Sequence, residues 1–504
     1  MSLFEANDKE LVDALARLSY CNPFLPERID LERQALSDSC VAWHSAWHIH
    51  ADAETDNPNL PPLIALGDDI VAKSATRLRD GAKAIGEDAR LYEALVIFHL
   101  YHHFRHAFDR VIATDTAAEP LPFYADFARR AENLLGMPGL ELSATFDADH
   151  LLACFFQVRR AFHHIFYNIA GGSGPAVRLR AAVWQSIFTY DMQRYRRSLY
   201  TRMGDFTTLI TGQSGTGKEL VARAVGLSRY VPFDRRTRSF IDAPGACVHC
   251  LNLSALSPTL IEAELFGSRK GAFTGADRDH VGWFETCSPY GTVFLDEIGE
   301  LDPVIQVKLL RLLQTRSFQR LGETESRKFH GKIITATNRN LGDEVQEGRF
   351  REDLYYRLCA DRIETPTLRQ QVLDSPDELG HLVSYLARQI IGDAEGGALA
   401  TEVTDWVHLH LGPDYAWPGN VRELEQCVRN VLIRRDYQPL GRPPAETAFA
   451  DALSSSLTLD ELISHYCTQV YKETGSFVET ARRLQVDRRT VRARVDQAYL
   501  DSQQ

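Results

Sequence analysis

The octapeptide Gly212-Gln213-Ser214-Gly215-Thr216-Gly217-Lys218-Glu219 has the make-up of a phosphate-binding loop. Its glycines let backbone N–H groups turn inward around phosphate oxygens, a helix starting there would present its positive end, and Lys218 adds a point charge for the β and γ phosphates. Glu219 stands where Ser or Thr usually touches Mg²⁺, so by itself the loop also reads as a Gly-rich turn from strand to helix. A second run, Val293-Phe294-Leu295-Asp296-Glu297, ends in two acids. Asp296 suits Mg²⁺, through water if Glu219 offers no hydroxyl, and Glu297 suits polarising an attacking water; an acid pair is equally at home at a helix N-terminus. Asn338 follows a third apolar run and can sense the γ-phosphate or orient the water. Three such run ends in one chain make nucleotide hydrolysis the expected chemistry.

Elements must hold these groups together. Thr207 to Thr211, Val248 to Leu253, Thr292 to Asp296 and Lys332 to Thr337 are short β-rich runs alternating with helical ones, which predicts a parallel sheet with helices on both faces. Before them, from Asn7 to about Ser198, the apolar spacing is helical, as in Ala89 to Ile112 and Asp149 to Ile169. Gly171, Gly172 and Gly174 make a candidate hinge. Proline, glycine and serine between Arg434 and Ser456 read as a linker, and a short helical piece closes the chain. The 504 residues correspond to about three folding units. An apolar share of 44% and a charged share of 25% are globular usage. The chain has no apolar run of membrane-spanning length and opens with Glu5, Asp8, Lys9 and Glu10, so a soluble, cytoplasmic protein with no membrane partner is expected. Nine scattered cysteines fit a reducing compartment. Cys247 and Cys250, with only His249 nearby, are expected to be strand residues rather than zinc ligands. A net charge of −12 excludes a chain that coats nucleic acid along its length.

Further residues carry a resemblance. Glu264-Leu265-Phe266-Gly267 leads into Gly271-Ala272-Phe273-Thr274-Gly275-Ala276, whose glycines and polar flanks predict an exposed, mobile apolar loop that contacts a partner. From about Leu179 onward the chain resembles the bacterial enhancer-binding proteins, the AAA+ ATPases that activate the sigma-54 form of RNA polymerase, and the hexapeptide is their signature. The resemblance makes Lys218-Glu219 expected, with Gln213 in place of the more usual acid. It implies that Asp296 and Glu297 are the Walker B pair, that Asn252 restrains Glu297 until the partner is engaged, and that Asn338 is a sensor. Within Gly348 to Leu358 it implies that Arg351 and Arg357 reach the γ-phosphate of the neighbouring subunit, and so that the protein works as a hexameric or heptameric ring. Salt bridges from these arginines to Glu352 and Asp353 are the local alternative. Trp417 to Leu424 matches the lid motif, with Arg422 on the nucleotide of its own subunit; Thr367-Leu368-Arg369 departs from the family's Pro-Leu-Arg.

Gly475 to Val495 carries a net charge of +4. Phe477 to Leu484 and a second helix from Arg488, capped by Asp487, are expected to form a helix-turn-helix similar to the family's Fis-type element. Arg488, Arg489, Thr490 and Arg492 are its candidates for DNA contacts. No familiar sensory module is visible in the first third, but ten of the chain's 17 histidines lie there. His99, His102, His103 and His106 share a helix face, and His44 with His48 is another i, i+4 pair; such faces suit a metal, haem or a pH switch, and more often are packed seams. Arg159, Arg160, Arg178, Arg180, Arg194, Arg196, Arg197 and Arg202 are expected to be a solvated basic face.

The expected fold is multidomain: an α-helical regulatory domain (1–178) with an unknown ligand or protein partner, an α/β P-loop ATPase subdomain (179–365), a helical lid (366–436), a linker (437–456) and a three-helix DNA-binding domain (457–504). The expected function is that of an ATPase using ATP and Mg²⁺, bound to upstream activating DNA, that remodels sigma-54 holoenzyme to the open complex. The rivals are a remodelling ATPase without promoter function and a repressor whose ATPase domain only oligomerises.

Overall fold

The computed structural model describes residues 3–5, 8–41, 57–142, 146–243, 248–440 and 458–495. The expected β-rich runs become strands β1 (Thr208–Thr211), β2 (Val248–Asn252), β3 (Thr292–Asp296) and β4 (Lys332–Thr337), and a further edge strand, β5 (Asp361–Glu364), joins them. The sheet order is β2-β3-β4-β1-β5, and every neighbouring pair is parallel. Side chains alternate across it. Leu209, Val293, Leu295 and Ile333 enter one core, together with Leu309 and Leu354 from helices Pro303–Thr315 and Glu352–Leu358. Ile210, Phe294, Ile334, Ala336 and Ile363 enter the other. Both faces are therefore dry, as a parallel sheet requires.

The second core joins parts of the chain far apart in sequence. Besides Val221 and Val225 of helix Lys218–Gly226, it contains Phe24, Ala161, Ile165 and Phe166 from the N-terminal third, and Leu179, Trp184 and Phe188 of helix Gly174–Phe188. The expected boundary after residue 178 falls inside that helix. The remaining N-terminal helices, chiefly Leu60–Arg79, Glu87–Thr114, Tyr124–Leu135 and Ala148–Asn168, surround their own core, into which Phe233 and Phe240 project. Those two phenylalanines belong to a small antiparallel ribbon, Phe233–Asp234 with Ser239–Phe240. Phe240 N–H donates to Ala117 O at 3.1 Å, and Leu121 N–H donates to Arg238 O at 2.7 Å. Residues Met1–Ile433 accordingly form one compact unit.

The lid is made of helices Leu368–Asp374, Glu378–Ile391, Asp393–His410 and Asn420–Arg434. It is tied to the glycine segment expected as a hinge. The buried Glu378 carboxylate accepts from Gly172 N–H (2.8 Å), Ser173 N–H (3.1 Å) and Ser173 Oγ (2.9 Å), and Asp374 accepts from Gly174 N–H (2.7 Å).

One reading of the first third is corrected. The arginines are not one solvated face: Arg180 is fully buried and donates to Ile169 O and Gly171 O, Arg160 is buried over the Phe156 ring, Arg159 pairs with Asp109, and Arg196 pairs with Glu93. The four histidines at 99, 102, 103 and 106 do not converge either. His99 binds Asp68 at 2.6 Å and His103 stacks beside it, whereas His102 turns inward against Phe98 and Tyr101. Among the described residues no group of three or more His, Cys, Asp or Glu side chains is placed to hold a metal ion. His44, His48 and Cys247 lie outside the described residues, as does most of the expected linker.

The second unit, Arg434–Gln504, contains helices Leu459–Thr474, Phe477–Leu484 and Arg488–Arg494 around Cys467, Ala481, Val491 and Val495. Gln485 takes a left-handed turn conformation, and the Asp487 carboxylate accepts from Arg489 N–H at 2.7 Å, so the turn and cap fall where expected. No helix among the described residues is long and apolar enough to cross a membrane.

Candidate active site

The strand order places three chemically loaded ends side by side. β4 lies between β1 and β3, so Asn338 emerges between the Gly212 loop and the acid pair. The loop is built by close approach: a Cβ on Gly212 would meet Thr365 Oγ1 at 2.0 Å, and one on Gly215 would meet Gly419 O at 2.2 Å. Both positions have positive φ, which glycine adopts without strain. Thr216 Oγ1 donates to Gln213 O at 2.8 Å and lies 2.7 Å from Thr365 Oγ1, closing the turn. Lys218 is largely buried at the start of its helix, with Nζ donating to Gly212 O (3.0 Å) and Gln213 O (3.2 Å). Burial holds its pKa below the usual lysine value, with the nearby Glu297 and Asp296 charges working the other way. Ser214 and Glu219 face solvent on the same loop.

Glu297 sits in a left-handed conformation directly after β3, its N–H donating to Asp296 Oδ1 at 3.0 Å and its Oε2 accepting from Asn338 N–H at 3.2 Å. The backbone of Asn338, not its side-chain amide, thus holds the carboxylate. Asn252 lies in register with Asp296 across β2 and β3. Its Oδ1 caps a short turn, accepting from Ser254 N–H (3.0 Å) and Ser254 Oγ (2.7 Å), so here Asn252 does not grip Glu297.

The arginines separate into three situations. Arg422 reaches from the lid to Ser214, its Nη1 donating to Oγ at 2.9 Å. Arg351 is paired in two-point fashion with Asp353, as the local alternative anticipated. Arg357 is exposed and makes no ion pair among the described residues. The lid is latched by a residue that motif reading took only for a turn: Asn420, buried with φ near +53, donates to Ser214 O (3.0 Å) and accepts from Leu368 N–H (2.9 Å), while Val421 N–H donates to Gly215 O (3.0 Å). The signal was present in Gly419-Asn420, since asparagine tolerates the left-handed region and offers both a donor and an acceptor.

The hexapeptide forms a tight hairpin. Gly271 N–H donates to Ala276 O (2.8 Å), Ala276 N–H donates to Phe273 O (3.0 Å), and the base is stapled by Arg269 to Asp279 (2.6 Å) and Glu323 (2.7 Å). Thr274 and Gly275 are exposed, Ala272 and Phe273 half-buried. In the separate C-terminal unit, Arg488, Arg489, Thr490 and Arg492 are all exposed on the last helix.

This is the architecture of an AAA+ ATPase domain. Residues 189–364 match the family model described as "Sigma-54 interaction domain". It is 44% identical over 231 residues to the Nif-specific regulatory protein of Azotobacter vinelandii, covering 46% of this chain and 40% of that one. To the transcriptional regulatory protein ZraR of Klebsiella oxytoca it is 40% identical over 302 residues, covering 58% of this chain and 63% of the relative. To the hydrogenase transcriptional regulatory protein HoxA of Bradyrhizobium diazoefficiens it is 41% identical over 244 residues, 48% of this chain and 45% of that one. The chain thus spans between 40% and 63% of the length of these relatives. Among solved structures, NtrX from Brucella abortus in complex with ADP overlaps 87% of this chain and 96% of its own, with 20% identity and a TM-score of 0.41.

Proposed function

We propose that the protein is a sigma-54-dependent transcriptional activator that couples ATP hydrolysis in a hexameric or heptameric ring to opening of the promoter by sigma-54 RNA polymerase holoenzyme. The observation that carries this reading is the stapled hairpin, which exposes Thr274 from the same domain that gathers Lys218, Asp296, Glu297 and Asn338. In this reading residues 1–178 are regulatory, 179–365 and 366–436 are the ATPase core and its lid, 437–456 a linker and 457–504 the DNA-binding domain. The N–H groups of Gly212 to Glu219 and the Lys218 ammonium bind the phosphates of ATP. Glu297, oriented by Asn338 N–H, takes the proton of the attacking water, and Asn338 places that water. Asp296 offers carboxylate oxygens of the kind Mg²⁺ takes, through water where Glu219 supplies no hydroxyl. Bound with the nucleotide, that ion would neutralise charge on the phosphates. Arg422 reads the nucleotide of its own subunit, whereas the unpaired Arg357 serves the site of the next; Arg351 must leave Asp353 to join it. Asn252, one strand over, takes up Glu297 when the partner is released. Phe273 and Thr274 contact the sigma factor, with Gly271, Ala272, Gly275 and Ala276 shaping the hairpin. Arg488, Arg489, Thr490 and Arg492 contact upstream activating DNA.

The test separates the motor from its output. Thr274→Ala is expected to keep most ATPase activity and lose open-complex formation on a sigma-54 promoter, while Glu297→Gln loses both. A Thr274→Ala protein that still opens the promoter refutes the hairpin assignment.

A further inference from the structure

The N-terminal helices enclose a cavity of about 170 Å³. Most of its wall is aromatic or aliphatic, including Leu63, Phe98, Phe155, Phe162, Trp184 and Phe188. Two polar atoms interrupt that wall. His102 Nδ1 and Trp184 Nε1 are both shielded from solvent and have no hydrogen-bond partner among the described residues. Leaving a buried polar atom unmatched costs about 1–3 kcal/mol, so native proteins rarely keep two on one cavity without a use. Water alone would match them and leave the aromatic wall without a partner.

The charge around the cavity is also uneven. Among the described residues, Arg28, Arg105, Arg159 and Arg196 line it against the single acid Glu32. Glu32 is already held by Arg28 and Asn57, Arg159 by Asp109 and Arg196 by Glu93. Arg105 donates to the His106 ring at 3.2 Å and has no carboxylate partner among the described residues. It lies one helical turn from His102, so a cation with no carboxylate partner and a ring nitrogen with no hydrogen-bond partner among the described residues stand at neighbouring positions on one helix. Burial, with Arg105, Arg28 and Arg159 close by, pushes the His102 ring down to about 3; the ring is neutral at ordinary pH and one nitrogen carries a hydrogen to donate.

We propose that this cavity is a ligand site for a small aromatic carboxylate, its ring enclosed by the aromatic wall and its carboxylate received by Arg105 and His102. The volume agrees with that size: a dry cavity of about 150 Å³ accepts benzene, which leaves room here for one ring with a small substituent. The site is also wired to the sheet. Trp184 and Phe188 line the cavity and belong to the core that backs β1, β3 and β4, so an occupant presses on the same packing that positions the nucleotide loop. Binding itself is independent of the activator reading; only an effect on turnover rests on it.

The experiment uses the full chain and three probes, benzoate, toluene and acetate, followed by calorimetry and by the shift in melting temperature. Benzoate is expected to bind and to raise the melting temperature, toluene to bind at least about 10-fold more weakly, and acetate not to bind, because an ionic hydrogen bond and ring burial are both required. Arg105→Gln, a partly exposed position, is expected to weaken benzoate on the order of 10-fold. Val158→Phe, which fills the cavity, is expected to abolish binding with the circular dichroism spectrum unchanged; should that variant not fold, Arg105→Gln carries the test. Toluene binding as tightly as benzoate overturns the carboxylate assignment. No benzoate binding, or binding equal in wild type and Arg105→Gln, overturns the site.

Discussion

Replacing Glu378 by alanine tests the tie between the lid and the glycine segment. The wild-type carboxylate is fully buried and accepts three hydrogen bonds, two from backbone N–H groups and one from Ser173 Oγ. It is also the counter-charge to the buried Arg180, whose pKa burial lowers to about 10 while Glu378 raises it, so that the guanidinium remains charged at neutral pH. Alanine strands these donors and removes the counter-charge of Arg180, whose guanidinium also donates to the carbonyls of Ile169 and Gly171. Each buried donor left unmatched costs about 1–3 kcal/mol, so a loss of about 3–5 kcal/mol is expected. A domain of 150–250 residues loses about 2–4 °C per kcal/mol, and a unit as large as this one less, so a fall of roughly 5 °C in melting temperature is expected. Glu378→Gln, which keeps one acceptor but turns an amide N–H₂ toward the donors, should fall by about half as much. Differential scanning calorimetry of the three proteins at neutral pH decides the matter. A Glu378→Ala protein melting within about 1 °C of wild type would refute the clamp.

Arg357→Ala should bind ATP normally and lose turnover by about 10³-fold or more, and mixing it with Lys218→Ala chains should restore activity measured by phosphate release; absence of rescue in well-formed mixed rings removes the role between subunits. Asn420→Ala leaves Leu368 N–H and Ser214 O unmatched, a loss of about 1–3 kcal/mol expected as weaker nucleotide binding in fluorescence titration. His102 and His164 are both held near 3, well below the ordinary value of 6.5. The unfolded chain binds more protons there, so their burial is harmless above about pH 6.5 and costs stability progressively as pH falls toward 3. His102→Phe should therefore lose less melting temperature than wild type between pH 6.5 and 4.5; parallel curves would contradict a buried neutral ring.

The parts of the site that read most clearly from sequence are those where chemistry restricts both residue type and local backbone. A phosphate loop needs glycines, a lysine and a strand-to-helix turn, and all are adjacent in sequence; the acids of β3 and Asn338 likewise sit where apolar runs stop. β5 was missed because Asp361-Arg362-Ile363-Glu364 buries only Ile363, leaving no apolar run to detect. Arg351 and Arg357 looked alike in sequence, and only the Asp353 pairing distinguishes them. The same limit hid the roles of Glu378 and Asn420, each of which acts on a partner many residues away. For the basic stretch from Arg159 to Arg202, local charge suggested a wet surface, whereas carboxylates and carbonyls from distant segments take several of those arginines inside. Apolar periodicity likewise shows that a helix has a face to bury without saying against what.

The core shared by the N-terminal helices and the ATPase sheet has a practical bearing on modularity. Deleting the first 178 residues would strip Phe24, Ala161, Ile165, Phe166 and Ile169 from a packed face and leave helix Lys218–Gly226 partly uncovered. Such a deletion therefore reports on solvation and aggregation as much as on control. Exchange of this region for another module faces the same requirement: the incoming module has to supply an apolar surface of matching shape, so that here the N-terminal helices and the ATPase sheet are suited to evolving as one body, not as interchangeable cassettes.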